Sequence, residues 1–147
     1  MNQINSGTII NLQTSPKRGS PLSRLSAAEF ITGLGISGDS HAGKLENRQV
    51  LLMDSETQQI FGINPDVTRE NVTTKNLILR DLREGDLLML GGSVKIEVTG
   101  DCAPCKNLDL QKPGLSKAIM GQRGILAKVI NSGFVKVNDK IVVETES

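Results

Sequence analysis

Aromatic side chains are almost missing from this chain: among its 147 residues there is no tryptophan, no tyrosine and only three phenylalanines. Single-stranded nucleic acid is usually held by stacking on aromatic platforms, so that function has almost nothing to work with, and a net charge of +1 offers no general field to a polyanion. Long apolar runs are also missing. No stretch approaches the roughly 20 residues a helix needs to cross a bilayer, and the first thirty residues hold no signal-peptide core. The expectation is a cytoplasmic protein with neither a membrane nor a nucleic-acid partner. Histidine and cysteine are scarce, at one and two. A closed zinc site built from four cysteines, or from two cysteines and two histidines, would therefore have to recruit a carboxylate. In a reducing compartment, two thiols spaced C-x-x-C point to redox chemistry, sulfur chemistry or metal ligation before a structural disulfide.

What is present is ordinary globular material, 37% apolar and 22% charged, in a length that suits one domain over 1–147 able to bury its own core. Gly7 to Leu12 reads as a strand, broken by the two prolines of Ser15 to Pro21. Ser26-Ala-Ala-Glu29 has capping-box spacing and predicts a short helix stopped by Gly33 and Gly35. Arg48 to Asp54 reads as a buried strand, followed by a short helix capped by Ser55 and ending near Gly62. Glu70 to Thr74 passes from loop into strand. Leu87–Leu90 and Ser93–Val98 around Gly91-Gly92 form a hairpin with a primed turn. A helical turn over Leu115–Met120, a strand over Gly124–Ile130 and a final strand or pair over Phe134–Glu144 complete the chain. Two strands are introduced alike, by Glu84-Gly-Asp86 and Val137-Asn-Asp139. Many short strands, glycine turns and few helices predict a mainly β fold, a small closed or partly open β-barrel.

Gly33-Leu-Gly35-Ile-Ser-Gly38 fits the dinucleotide fingerprint literally, but the strand before it and the long helix after it are not expected. Gly38 to Lys44 approaches a P-loop, yet Leu45 stands where a hydroxyl should hold Mg²⁺. What remains is a glycine-rich loop whose amides, with Lys44 and Arg48 nearby, suit an anion. His41 either joins that site or fixes its own loop by a hydrogen bond. Arg48 opens the next strand, where it binds an anion or pairs with Asp39 or Glu46. Arg123, between Gly121 and Gly124, has the same two readings. Cys102-Ala-Pro-Cys105-Lys106 resembles a thioredoxin-like dithiol, but Pro113-Gly114 limits the helix such a site needs. Cys102 suits a small buried core residue as well as a functional thiol. Cys105, beside Lys106, sits where thiolate is favoured.

Several of these segments occur together in one order. Gly38-Asp39-x-His41-x-Gly43 with Arg48-Gln49-Val50, Glu70-Asn71 with Thr73-Thr74, Glu84-Gly85-Asp86 leading into Val98-Thr99, Cys102-x-Pro104-Cys105, and Gly121-x-Arg123-Gly124-Ile125 with Val137-x-Asp139 resemble the motifs of a MOSC domain, the module named for the C-terminal part of molybdenum cofactor sulfurases. The resemblance implies a barrel like that of pyruvate kinase and binding of molybdenum cofactor. It makes Cys105 the reactive cysteine, either a persulfide carrier for metal-sulfur or molybdenum centre assembly or a molybdenum ligand in a reductase of N-hydroxylated compounds. It implies that Asp39, His41, Arg48 and Asn71 shape the cofactor pocket, while the glycine amides, Arg48 and Lys44 or Arg123 meet the pterin phosphate. Cys102 stands where many members have arginine, and as a second thiol it would resolve a persulfide on Cys105. The implied partners are a desulfurase or electron-transfer proteins, since a standalone domain lacks the pyridoxal-phosphate module, and no motif here marks a Schiff-base lysine. A non-catalytic accessory domain and a general dithiol reductase are the alternatives.

Overall fold

Alternation of buried aliphatic and exposed polar residues, interrupted every few positions by glycine or aspartate, sets the architecture. The computed structural model describes residues 5–17, 19–104 and 107–144. Among them lie β1 (Ser6–Thr14), β2 (Ser23–Leu25), β3 (Ala27–Ile31), β4 (Gly35–Ile36), β5 (Val50–Asp54), β6 (Val72–Lys75), β7 (Leu87–Leu90), β8 (Val94–Asp101), β9 (Ile125–Asn131), β10 (Gly133–Lys136) and β11 (Lys140–Glu144). The helices are short: α1 (Ser55–Phe61), α2 (Pro65–Thr68), α3 (Leu108–Gln111) and α4 (Leu115–Ala118).

Seven strands run in the order β11-β7-β8-β9-β5-β6-β1, and pairing of β1 with β11 closes them into a barrel. Closure removes the exposed edges of the sheet. Around the ring only β5 and β6 pair in parallel, which is why α1 and α2 are needed as the crossover between them. β1 is long enough for three partners: Ser6–Thr8 face β11, Thr8–Leu12 face β6 with a bulge between Ile9 and Asn11, and Leu12–Thr14 face β2. A small second sheet, β10-β3-β4, lies beside the barrel. β8 shows how the interior is filled: Val94, Ile96 and Val98 are buried while Lys95 and Glu97 are half-buried. A satellite cluster of Met53, Leu108, Leu115 and Ile119 seats α3 and α4.

The mainly β barrel anticipated from the residues is the fold observed. The helix expected from Ser26 is not: Ala27–Ile31 is β3, paired with β10, with Ala28 and Phe30 buried. A period-2 burial pattern here outweighs the capping-box spacing, and Gly33 and Gly35, at φ +76° and +121°, turn the chain into β4 rather than ending a helix. Helix α1 forms as expected but is capped by Asp54, whose carboxylate accepts from the Thr57 N–H at 2.9 Å. The β7–β8 hairpin exists, joined by the three residues Gly91–Ser93 rather than a two-residue primed turn. The paired aspartate turns share a mechanism: Asp86 and Asp139 each accept from the N–H three residues back, of Arg83 and Lys136.

Candidate functional site

Gly38, at φ +86°, turns the chain out of β4 and drops Asp39 into the protein. One carboxylate oxygen accepts from the Ser15 N–H at 2.9 Å and from Asn71 Nδ2 at 3.2 Å. The other accepts from the His41 N–H at 3.2 Å and lies 3.2 Å from His41 Nδ1. Burial pushes the Asp39 carboxyl upward, but hydrogen bonds from His41 and Ser15 outweigh it and hold its pKa below the ordinary value. His41 is thus oriented by a buried carboxylate while 61% of its own side chain stays exposed.

His41, Lys44 and Arg48 share one open cavity of about 290 Å³ with Ser40 and Leu45. Arg48 sits in a 3-10 turn (Glu46–Arg48), two residues short of β5. The pairings open to it on sequence are taken by others: Asp39 by His41, and Glu46 by Lys128 at 3.8 Å. From Asp39 to Lys44 the loop's amides are likewise occupied. The N–H groups of Ser40, Ala42, Gly43 and Lys44 donate to the carbonyls of Ser15, Asp39, Leu34 and His41. An anion in this cavity would meet side chains, not the glycine-loop amides that the sequence offers for it.

Asn71 is the brace behind this loop. Its side-chain oxygen accepts from the Leu51 N–H at 3.0 Å, and its Nδ2 reaches the Gln13 carbonyl at 3.1 Å as well as Asp39. It therefore ties β1, β5 and the Asp39 loop together. The three residues before it carry further structure. Glu70 is fully buried and accepts from Gln58 Nε2 at 2.6 Å and from the hydroxyls of Thr68 and Thr73, each at 2.5 Å. Arg69, in the left-handed region at φ +57°, donates to the Ser20 carbonyl at 2.7 Å and Ser15 Oγ at 3.2 Å. The Thr68 carbonyl accepts from Arg123 Nη2 at 2.5 Å.

Arg123 is 8% exposed, not solvated as an arginine between glycines would be by itself. Its Nε and Nη1 are buried and have no hydrogen-bond partner among the described residues. With Arg69, Gly19, Asp66, Asn107 and Leu108 it lines a second cavity of about 490 Å³. So the structure brings Asp39, His41 and Asn71 into one network, groups His41 with Lys44 and Arg48, and sets Arg123 in a different cavity. Cys102 is buried, its N–H on the Gly124 carbonyl at 2.9 Å and its Sγ 3.7 Å from the Ala103 carbonyl. Cys105 and Lys106 lie outside the described residues. The described residues hold no cluster of three or more His, Cys, Asp or Glu suited to a metal.

The MOSC domain matches residues 40–142, most of the chain. The chain belongs to the MOSC domain family. The family is associated with molybdenum cofactor in general, and the match begins at Ser40, inside the glycine loop, and ends in β11. The fold is that of YuaD from Bacillus subtilis, which is 20% identical with a TM-score of 0.82 over the whole of both chains. YiiM from Escherichia coli is 17% identical with a TM-score of 0.69, covering all of this chain and 72% of that one. YiiM from Geobacillus stearothermophilus is 17% identical with a TM-score of 0.65, covering 95% of this chain and 73% of that one. No curated protein matches this MOSC domain. Arg69, Thr68 and Ser15 are not marked as site residues by the sequence, and Glu70 is marked only as part of a motif. For Thr68, Arg69 and Glu70 the one signal is their position beside Asn71, and Ser15 has none, since nothing in a polar loop sequence distinguishes a buried carboxylate from a solvated one.

Proposed function

We propose that this MOSC domain binds molybdenum cofactor, with Arg123 and Arg69 holding an anionic group of the ligand and Cys105 as the working thiolate. The observation that carries the proposal is Arg123, a buried guanidinium with Nε and Nη1 unpartnered among the described residues, at a cavity it shares with a second arginine. Buried donors without acceptors are costly, and a phosphate oxygen would satisfy them with charge-assisted hydrogen bonds. The residues present thus fit the anionic part of the cofactor. Asn107 lines the same cavity and follows Cys105 by two positions.

When bound, the cofactor would supply redox chemistry at molybdenum or a place to deliver sulfur. Asp39 and Asn71 use their polar atoms internally, so their part is to hold His41 and Ser15 in place. Lys44 and Arg48 present cationic side chains and His41 an exposed imidazole to the neighbouring cavity, and these would meet further polar groups of cofactor or substrate. In a carrier, the Cys105 thiolate attacks the outer sulfur of a desulfurase persulfide, takes that sulfur and releases the desulfurase thiolate. In a reductase of N-hydroxylated compounds, Cys105 would hold molybdenum as a soft thiolate and partner proteins would bring electrons. The buried Cys102 serves packing in either case.

Protein purified without oxygen from a host that makes the cofactor, beside its Cys105→Ala variant, tests this. Near-stoichiometric molybdenum that is lost in the variant identifies a ligand. Absence of metal from both, with a persulfide on Cys105 of the wild type, identifies a carrier. Absence of metal, pterin and persulfide alike overturns the proposal.

A further inference from the structure

Glu70 and Arg123 are a buried anion and a buried cation joined through a single residue. Thr68 donates its hydroxyl to Glu70 at 2.5 Å and accepts Arg123 Nη2 on its carbonyl at 2.5 Å. Glu70 has no exposure at all, and all three of its described contacts, from Gln58, Thr68 and Thr73, are neutral donors. Among the described residues no salt bridge involves either Glu70 or Arg123. A carboxylate taken wholly out of water needs both hydrogen bonds and a nearby opposite charge. The neutral cage supplies the first, and the guanidinium one residue away supplies the second.

We propose that Glu70 is a positioning residue that acts through Arg123, as the internal counter-charge of the cavity. It keeps Arg123 tolerable while the cavity is empty, and its negative charge opposes the arriving anion, so the ligand is held less tightly than two arginines alone would hold it. The carboxylate thereby tempers the affinity of the anion site. This rests on the anion-site reading above and adds to it the residue that sets its strength.

Glu70→Gln separates charge from hydrogen bonding. The Thr68 hydroxyl, which already lies 2.9 Å from Gln58 Nε2 and 3.4 Å from the Asn64 carbonyl, can turn to accept from the new amide and donate to Asn64. The probe is inorganic phosphate on the ligand-free chain, read by the Arg123 Nε–H resonance in ¹⁵N spectra, with main-chain amides reporting the fold. Wild type should show the Arg123 signal moving with added phosphate. Glu70→Gln should bind phosphate roughly three- to tenfold more tightly, and Glu70→Asp, which keeps the charge, should stay near wild type. Equal phosphate affinity in wild type and Glu70→Gln makes Glu70 a structural residue only and sinks this inference while leaving the anion site standing. An Arg123 signal that ignores phosphate in wild type sinks the anion site itself. Thermal unfolding of Glu70→Gln, Arg123→Gln and the double variant checks the pairing independently of ligand. The double variant should lose less than the sum of the singles, and additive losses would count against a counter-charge.

Discussion

Asp39 is the residue on which the most local geometry converges, because it accepts from Ser15, Asn71 and His41 while buried from solvent. Replacing it with alanine leaves the Ser15 N–H and an Asn71 amide proton without acceptors, a loss of about 1–3 kcal/mol. Its pKa is depressed in the folded protein, so its contribution is fully present above the unfolded value near 3.9 and fades as pH falls through the folded value. The stability gap between wild type and Asp39→Ala should therefore be wide at pH 7 and narrow as pH drops below about 4. Urea unfolding midpoints at pH 7 and pH 3 measure it, and a gap that does not change with pH would mean that the carboxylate charge contributes nothing. At the same scale, Cys102→Ala should leave bound molybdenum or persulfide unchanged whereas Cys105→Ala should abolish it. Equal loss from both variants would instead establish a dithiol.

Elements place these residues, and the decisive one is the crossover from β5 to β6. Because those strands are parallel, the chain must climb back outside the barrel through α1 and α2, and it re-enters through the four residues Thr68 to Asn71. That re-entry puts Arg69 and Glu70 on neighbouring positions with opposite duties, one at a cavity and one in the interior. The start of β9 is the opposing wall. Gly124 there has φ +127°, and a Cβ on it would lie 2.6 Å from the Leu52 carbonyl of β5. Gly124→Ala is expected to cost at least about 2 kcal/mol and lower Tm by roughly 4–8 °C. Gly38→Ala, at φ +86° with nothing within 4 Å, meets only the conformational penalty of about 1 kcal/mol. Calorimetry of the pair separates close approach from backbone strain, and equal losses would refute the packing argument.

For the whole molecule the critical fact is that closure joins the two ends of the sequence, Ser6 pairing with Val142 and Thr8 with Lys140. Such non-local pairing makes folding slow and stability cooperative. Removing residues 140–147 would open the barrel between β1 and β7 and uncover Ile9 and Leu90, both fully buried. The truncated chain should lose its single cooperative thermal transition and bind a hydrophobic dye. A sharp transition retained in that chain would show that closure is dispensable. In the intact protein, the long β8–β9 pair, whose partners run from Lys95 with Asn131 to Asp101 with Ile125, should hold the slowest-exchanging amides.

The strand periodicity, the glycine and aspartate turns and the ordered motifs determined the fold class and the family, because those features act locally or form a recognisable string, while the placing of Asp39, His41, Arg48 and Asn71 in one pocket is implied only by the resemblance. Ala27–Ile31 departs from the capping-box expectation for the same reason: a capping spacing is local, and the competing pull toward β10, more than a hundred residues away, is not. Only the tertiary structure decided that the glycine-loop amides are spent, that Arg48 stands free of Asp39 and Glu46, and that Arg123 is buried beside Arg69 rather than solvated. Each of those depends on which partner a polar group finds across the fold, and hydrogen bonding and desolvation are set by distance in space, which residue type and spacing do not encode.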